Sequence, residues 1–430
     1  MARAAANRRM AITILATLLV GGCAASPPST PTAVSATRSA AAPSPGPSTA
    51  SAAGPTVRPS STPILPPAPS AVPVPARWIE GPRQPAIGGV QFQDVVWTGT
   101  RFVAVGEAAA GLAVFLDSTD GSVWHRQKSS GAHWNPRTIA VGAAGLVAIG
   151  GIGGDAASWT SADGLIWTAS RDAFPMPAVG SDSIEITDVV ASGDGSVAVG
   201  RRDPYCNIDC GTTPSRAYVW RSSDGLHWTR IPDQAALKGG GMVAVTRWEH
   251  GLIAAGTASG RAVIWTSTDG TVWSRVPDAR MFHGPATPDG PLPLAATGVA
   301  AQRGVVVVVG QAFGQDESEV RAWWSTDGVT WTAASVERAA GGQVFSVAAT
   351  PSGFLAVGPS GPDSCRGGIW SSLDGRAWRC EASDPAFEGF GPYAAAGSDT
   401  VQVAVGLTNA GVGEESPSGL PGATFSRQMY

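Results

Sequence analysis

The heptapeptide Ser-x-Asp-Gly-x-x-Trp occurs six times in this 430-residue chain. It reads STDGSVW from Ser118, SADGLIW from Ser161, SSDGLHW from Ser222, STDGTVW from Ser267, STDGVTW from Ser325 and SLDGRAW from Ser372. A second phrase, a short apolar run closing on glycine, occurs seven times, at Gly106, Gly150, Gly200, Gly256, Gly310, Gly358 and Gly406, with copies 44 to 56 residues apart. A period of that length means a stack of like units, each too small to bury its apolar surface alone. Each apolar run follows another across a tight turn, as in DVVWTGTRFVAVG and VVASGDGSVAVG, the pattern of a β-hairpin. The unit therefore reads as strand A, turn, strand B, loop, strand C, the Asp-Gly turn, strand D. Four strands in about 45–55 residues make a β-propeller blade.

Seven A–B hairpins against six Asp-Gly turns leave one blade without an outer strand of its own. The C-terminal GATFSRQMY supplies a strand C and stops. At the other end, ARWIEGP around Trp78 is worded like WTRIP from Trp228 and WSRVP from Trp273, both strands D. The expectation is an all-β, seven-bladed β-propeller of four-stranded antiparallel blades over residues 77–430, closed by the N-terminal strand completing the last blade. A six-bladed ring is the alternative. Closure removes the open edges that a row of sheets otherwise leaves.

The repeated acid reads as structural. An Asp at the start of a tight turn accepts backbone N–H bonds from its far side, and Gly takes the positive φ the turn needs. The Trp that follows packs between blades, burying ~150–250 Å². A second aromatic precedes the Ser by two places at Trp159, Trp220, Trp265, Trp323 and Trp370, with Leu116 in the remaining blade. A catalytic carboxylate pair needs two unlike environments facing one pocket. Asp120, Asp163, Asp224, Asp269, Asp327 and Asp374, with Trp124, Trp167, Trp228, Trp273, Trp331 and Trp378, are six equivalent sets around a rim. No catalytic residue is assigned.

The motif resembles the Asp-box, or bacterial neuraminidase repeat, of sialidase-like propellers, and the resemblance covers roughly residues 77–430. The usual form carries one more residue between Asp and Gly, so the resemblance is to the wider Asp-box-like group rather than to sialidases in particular. A sialidase would imply three arginines clamping a substrate carboxylate, a Tyr nucleophile with a Glu partner, and an Asp acid/base. Of the tyrosines, Tyr218 falls in a strand C, Tyr430 is terminal, Tyr205 lies in a short Cys-bracketed loop and Tyr393 opens a strand A. The Arg-Ile-Pro at Arg230 returns as Arg-Val-Pro at Arg275 and is repeat wording.

Residues 1–22 read as an export signal. Arg3, Arg8 and Arg9 precede an apolar stretch, Met10 to Val20, too short to span a bilayer. The closing Val20-Gly21-Gly22-Cys23 resembles the lipobox of bacterial lipoproteins, which implies acylation of Cys23 and anchoring at the outer side of the bacterial cytoplasmic membrane, on the cell surface. Residues 23–76 are nearly all Ala, Ser, Thr and Pro and lack core-forming hydrophobes, so they read as a disordered tether reaching up to ~150 Å. A net charge of -4 gives no basic footprint for nucleic acid. The five histidines, His125, His133, His227, His250 and His283, lack ligand spacing, and no metal or cofactor is expected. The four cysteines beyond Cys23 suggest local disulfides, Cys206–Cys210 and Cys365–Cys380. The chain reads as a monomer.

Function is read from the loops. The A–B and C–D turns are short, whereas the long segments are all B–C or D–A connections, which emerge on one side of a four-stranded meander. Variable loops on a rigid scaffold are where binding sites lie. Charged residues just past strand B, Glu107, Arg201, Arg202, Asp203, Asp316, Glu317 and Glu319, should ring that face around the channel mouth. The expectation is a non-catalytic cell-surface lipoprotein presenting this face to an envelope protein or glycan. A sialidase-like glycoside hydrolase on the same face is the alternative.

Overall fold

The computed structural model describes residues 77–429 apart from 109–110, 130–134, 152–155, 172, 177–183, 203–214, 289, 315–317, 361–363, 382–386, 388 and 409–421. Cys23, the export signal, the tether, Asp203, Cys206, Cys210, Asp316 and Glu317 therefore lie outside the described residues.

Seven antiparallel sheets follow one another along the chain, each ordered A-B-C-D. The innermost strands are Gln91–Trp97, Pro136–Gly142, Ile184–Ser192, Gly241–Trp248, Leu294–Gln302, Ser346–Thr350 and Phe390–Gly397, for blades one to seven. Each of these packs against the next, and the seventh packs against the first, so the strands A form a closed ring about a central axis. The fold is a seven-bladed β-propeller. The ring closes as the repeat arithmetic requires: Ile79–Glu80 pairs with the C-terminal strand Gly422–Gln428, Ile79 opposite Ser426 and Glu80 opposite Phe425. Trp78 thereby takes the place in blade seven that Trp228 holds in blade three, where Thr229 and Arg230 lie opposite Arg221 and Trp220.

Two blades depart from four strands. In blade two, Lys128–Ser129 from the preceding D–A connection pairs parallel to Ile166–Ser170. In blade six, Ser335–Val336 does the same against Ala377–Cys380. Each added segment covers an outer edge that would otherwise present unpaired backbone groups.

The core lies between blades rather than within them. Its apolar clusters combine neighbouring sheets: Phe92, Val95 and Trp124 of blade one with Val401, Val403 and Val405 of blade seven, for example. Both faces of strands A and B are covered in this way, which is why these strands read as apolar runs instead of alternating.

The repeated heptapeptide forms one hydrogen-bonded turn in all six copies. In blade one the Ser118 hydroxyl accepts the Gly121 N–H and donates to Asp120, whose Oδ1 also accepts the N–H groups of Ser122 and Val123. The Trp124 indole donates to the Gly121 carbonyl at 3.2 Å, and each of the other five Trp residues makes the equivalent bond. These glycines hold φ between +68° and +81°, and a Cβ on Gly375 would lie 2.3 Å from Val307 of the preceding blade. Blade seven has no such turn. Its counterpart of the turn serine is Arg427, opposite Gln402 where Ser222 is opposite Ser196. The Arg427 side chain is buried, donates to Gln402 and Glu381 at 2.7 Å each, and lies over the Trp78 ring at 4.7 Å.

Cys365 and Cys380 form a disulfide across the C–D hairpin of blade six, with Cα atoms 5.5 Å apart.

Candidate functional site

The channel wall is built by a repeated irregularity. In six blades the A–B ladder shifts register by one residue, at Phe92/Asp94, Pro136/Thr138, Ile186/Asp188, Met242/Ala244, Ala296/Gly298 and Pro392/Ala394. The resulting bulge swings the carbonyl at the start of strand A over the glycine that closes strand B. A Cβ would stand 2.0 to 2.4 Å from that carbonyl oxygen at all seven of these glycines, from Gly106 to Gly406. Blade six makes the same shift ahead of its named strand, between the Gly342–Ser360 bridge and the Ser346–Val357 pair, so the sevenfold glycine is the signature of the bulge. Bulges re-aim side chains, and here the strand being re-aimed is the one that lines the channel.

In blades one to three the residue after the bulge stitches blades together. Asp94 of blade one accepts the N–H of Ile139 in blade two at 3.0 Å. Asp188 of blade three accepts the Thr138 hydroxyl of blade two at 2.8 Å and the Val245 N–H of blade four at 2.7 Å. These acceptors satisfy backbone donors on the free edge of strand A. Both residues are half-buried, and the wall around their carboxyls displaces most of their water. Burial pushes Asp94 up to about 7, opposed by the Ile139 N–H and reinforced by the neighbouring Asp188 charge. Burial likewise pushes Asp188 up to about 6 against the Val245 and Thr138 bonds.

The bulged residue itself reaches to the blade beside it, at the mouth where the B–C and D–A connections emerge. Arg137 of blade two pairs with Glu185 of blade three, whose other oxygen accepts from Arg201 at 3.1 Å. Glu185 and Arg201 are cross-strand partners, as Gln91 and Glu107 are in blade one. Tyr393 of blade seven repeats the geometry of Arg137, bonding to Gln91 of the next blade, with its ring 5.5 Å from Phe345. Burial pushes its phenol above the usual tyrosine range, with the Gln91 bond opposing. The equivalent bulged positions in blades four and five hold Val243 and Thr297, and the positions of Glu185 there hold Gly241 and Ala295. The mouth is thus lopsided, with an aromatic wall at blades six and seven, a charged wall at blades two and three, and low ground at blades four and five.

Of the rim residues expected from sequence, Glu107 and Arg201 stand at this mouth. Arg202 does not, because it follows Arg201 on the same strand and points to the opposite face of the sheet, where it is only 8% exposed. Glu319 sits further out, at the start of strand C of blade five, in an ion pair with Arg321 at 2.6 Å. Arg137, Glu185, Tyr393, Asp94 and Asp188 are not among the residues singled out in the sequence. Tyr393 lies at the bulge rather than at the opening of its strand. Among the described residues, no three His, Cys, Asp or Glu side chains converge as metal ligands.

No protein-family model and no curated protein matches the chain. Solved structures similar to it include YCF48 bound to D1 peptide, at 15% identity over 84% of this chain and 99% of that one, TM-score 0.47. A fucose-specific lectin from Aleuria aurantia is similar at 11% identity over 68% and 94%, TM-score 0.40. Trypanosoma rangeli sialidase is similar at 13% identity over 79% of this chain and 55% of that chain, TM-score 0.39. The chain thus spans about half of that sialidase. At such values the likenesses carry nothing about ligand or chemistry, and the propeller stands on its own strand pairing.

Proposed function

We propose that this chain is a binding module, seating its ligand in the lopsided channel mouth between Phe345 and Tyr393 on one side and the Arg137–Glu185–Arg201 cluster on the other. The observation that carries this reading is the division of partners. A tyrosine nucleophile needs a carboxylate beside it and a phenol that ionises easily. Tyr393 has an amide partner, Gln91, and a phenol pushed up by burial, while Glu185 is held by two guanidiniums in blades two and three. A rigid aromatic wall facing fixed charges suits recognition of a protein segment or glycan. With acylation at Cys23, residues 23–76 act as the tether and the propeller works on the cell surface, its partner a protein or glycan of the envelope.

The test uses the full chain. Capture of an envelope component should fall about tenfold or more in Arg137→Ala and in Tyr393→Ala, and purified protein should release no aglycone from sialyl or other aryl glycosides. Turnover lost in Glu185→Gln or Tyr393→Phe would establish the hydrolase instead.

A further inference from the structure

We infer that the face opposite the channel mouth carries a second site, a cleft between blades three and four that takes a short, uncharged oligosaccharide. Its walls are the A–B turn of blade three (Ser192–Gly195), Arg221 and Thr229 of that blade, the A–B turn of blade four (Arg247–Gly251) and the heptapeptide turn of blade four at Thr268 and Asp269. All of these belong to the A–B and C–D side of the propeller. The volume is about 940 Å³, at the upper end of ligand pockets at ~300–1,000 Å³, which suits a chain of sugars better than a single one.

The residue at the end of strand A contributes to the room. Ser192 of blade three is opposite Gly195, as Trp248 of blade four is opposite Gly251. At the next junction the Trp248 ring presses on the blade-five turn, where a Cβ on Gly328 would lie 2.7 Å from it. The indole occupies that junction, and Ser192 in the same place takes up far less of the junction between blades three and four.

Its lining is chemically uncommitted. Arg221 and Arg247 supply two guanidiniums, and Asp194, Glu249 and Asp269 three carboxylates. Among the described residues none of the five is in an ion pair, whereas Arg101, Arg230 and Arg261 each hold an aspartate at 2.9 to 3.0 Å. Charge-assisted donors and acceptors therefore stand side by side in one cleft. It suits dense hydroxyls, which accept from guanidinium and donate to carboxylate. Ile231 gives apolar surface for the C–H faces of sugar rings.

The test is saturation-transfer NMR and calorimetry on the full chain with uncharged tetrasaccharides of glucose, mannose and N-acetylglucosamine as probes. At least one should bind. Ser192→Trp, which refills the cleft as Trp248 fills its neighbour, and Arg247→Ala should each weaken that binding by about tenfold or more, the loss expected for a charge-assisted hydrogen bond. Arg201→Ala at the other face should leave it unchanged, which keeps this site's failure distinct from that of the channel mouth. The inference is overturned if none of the probes binds, if binding survives both cleft variants, or if it is lost in Arg201→Ala.

Discussion

Asp94 makes the stability of the propeller depend on pH in an unusual direction. Its carboxyl moves from the ordinary 3.8 to about 7 on folding. At ~1.36 kcal/mol per pH unit, ionising it inside the folded ring costs about 4 kcal/mol, an upper figure because channel water screens part of it. The sign follows from proton binding: between 3.8 and 7 the folded chain holds a proton that the unfolded chain has released. Stability is therefore fully present below about pH 4 and falls as pH rises to 7. Asp188, raised to about 6, acts in the same direction over a narrower window. Asp269 and Asp327, held down to about 2, the first chiefly by the Thr271 hydroxyl and the second by the Thr330 N–H, lose their contribution only below pH 4. The two groups of aspartates thus act on opposite sides of pH 4. Asp94→Asn removes the titration. It also leaves one of two N–H donors, Val95 or Ile139, facing an amide NH2, a pH-independent loss of about 1–3 kcal/mol. Urea midpoints read by tryptophan fluorescence from pH 4 to 8 should show the wild type falling steeply and the variant falling less, its remaining slope belonging to Asp188. The variant should be the weaker at pH 4 and should equal or overtake the wild type by pH 8. Parallel curves, or a wild type that gains stability across this window, would refute the reasoning.

Other perturbations probe the frame. Arg427→Ala strands Glu381 and Gln402 at the ring seam and should cost about 3–5 kcal/mol, with Arg427→Met losing less because it keeps the packing on Trp78; thermal melts distinguish them. Gly256→Ala sets a Cβ 2.0 Å from the Gly241 carbonyl and should cost at least about 1–3 kcal/mol, against little for Gly391→Ala, where a Cβ meets nothing and the backbone is not left-handed. Opening the Cys365–Cys380 bridge, which spans 15 residues, by paired serines should lower stability by about 3 kcal/mol, and reductant should do the same to the wild type alone.

The ring was legible in the sequence because the repeats carry it. Seven glycines marked seven A–B hairpins, and the wording around Trp78 marked the missing outer strand. The glycines could be counted but not explained, since the carbonyl that forbids their side chain belongs to a bulge visible only once strand A is paired. The mouth was hidden for a different reason. Arg137, Glu185 and Tyr393 come from three blades, each near the start of a strand that is otherwise largely apolar, and only circular packing brings them to one opening. One signal was there to be used: Asp94 in QFQDVVW and Asp188 in IEITDVVA interrupt two apolar strands at the same repeat position. Loop length drew attention outward to Arg202, whose strand alternation turns it away from the rim.

The most direct test of the binding account is site-specific photocrosslinking on intact cells. Benzoylphenylalanine would replace Phe345 at the channel mouth or Val329, an exposed position on the opposite side of blade five and away from the cleft between blades three and four. The account predicts a discrete adduct from position 345 and none from position 329. Adducts from position 329 alone, or from neither position while the wild type still captures its partner, would contradict it.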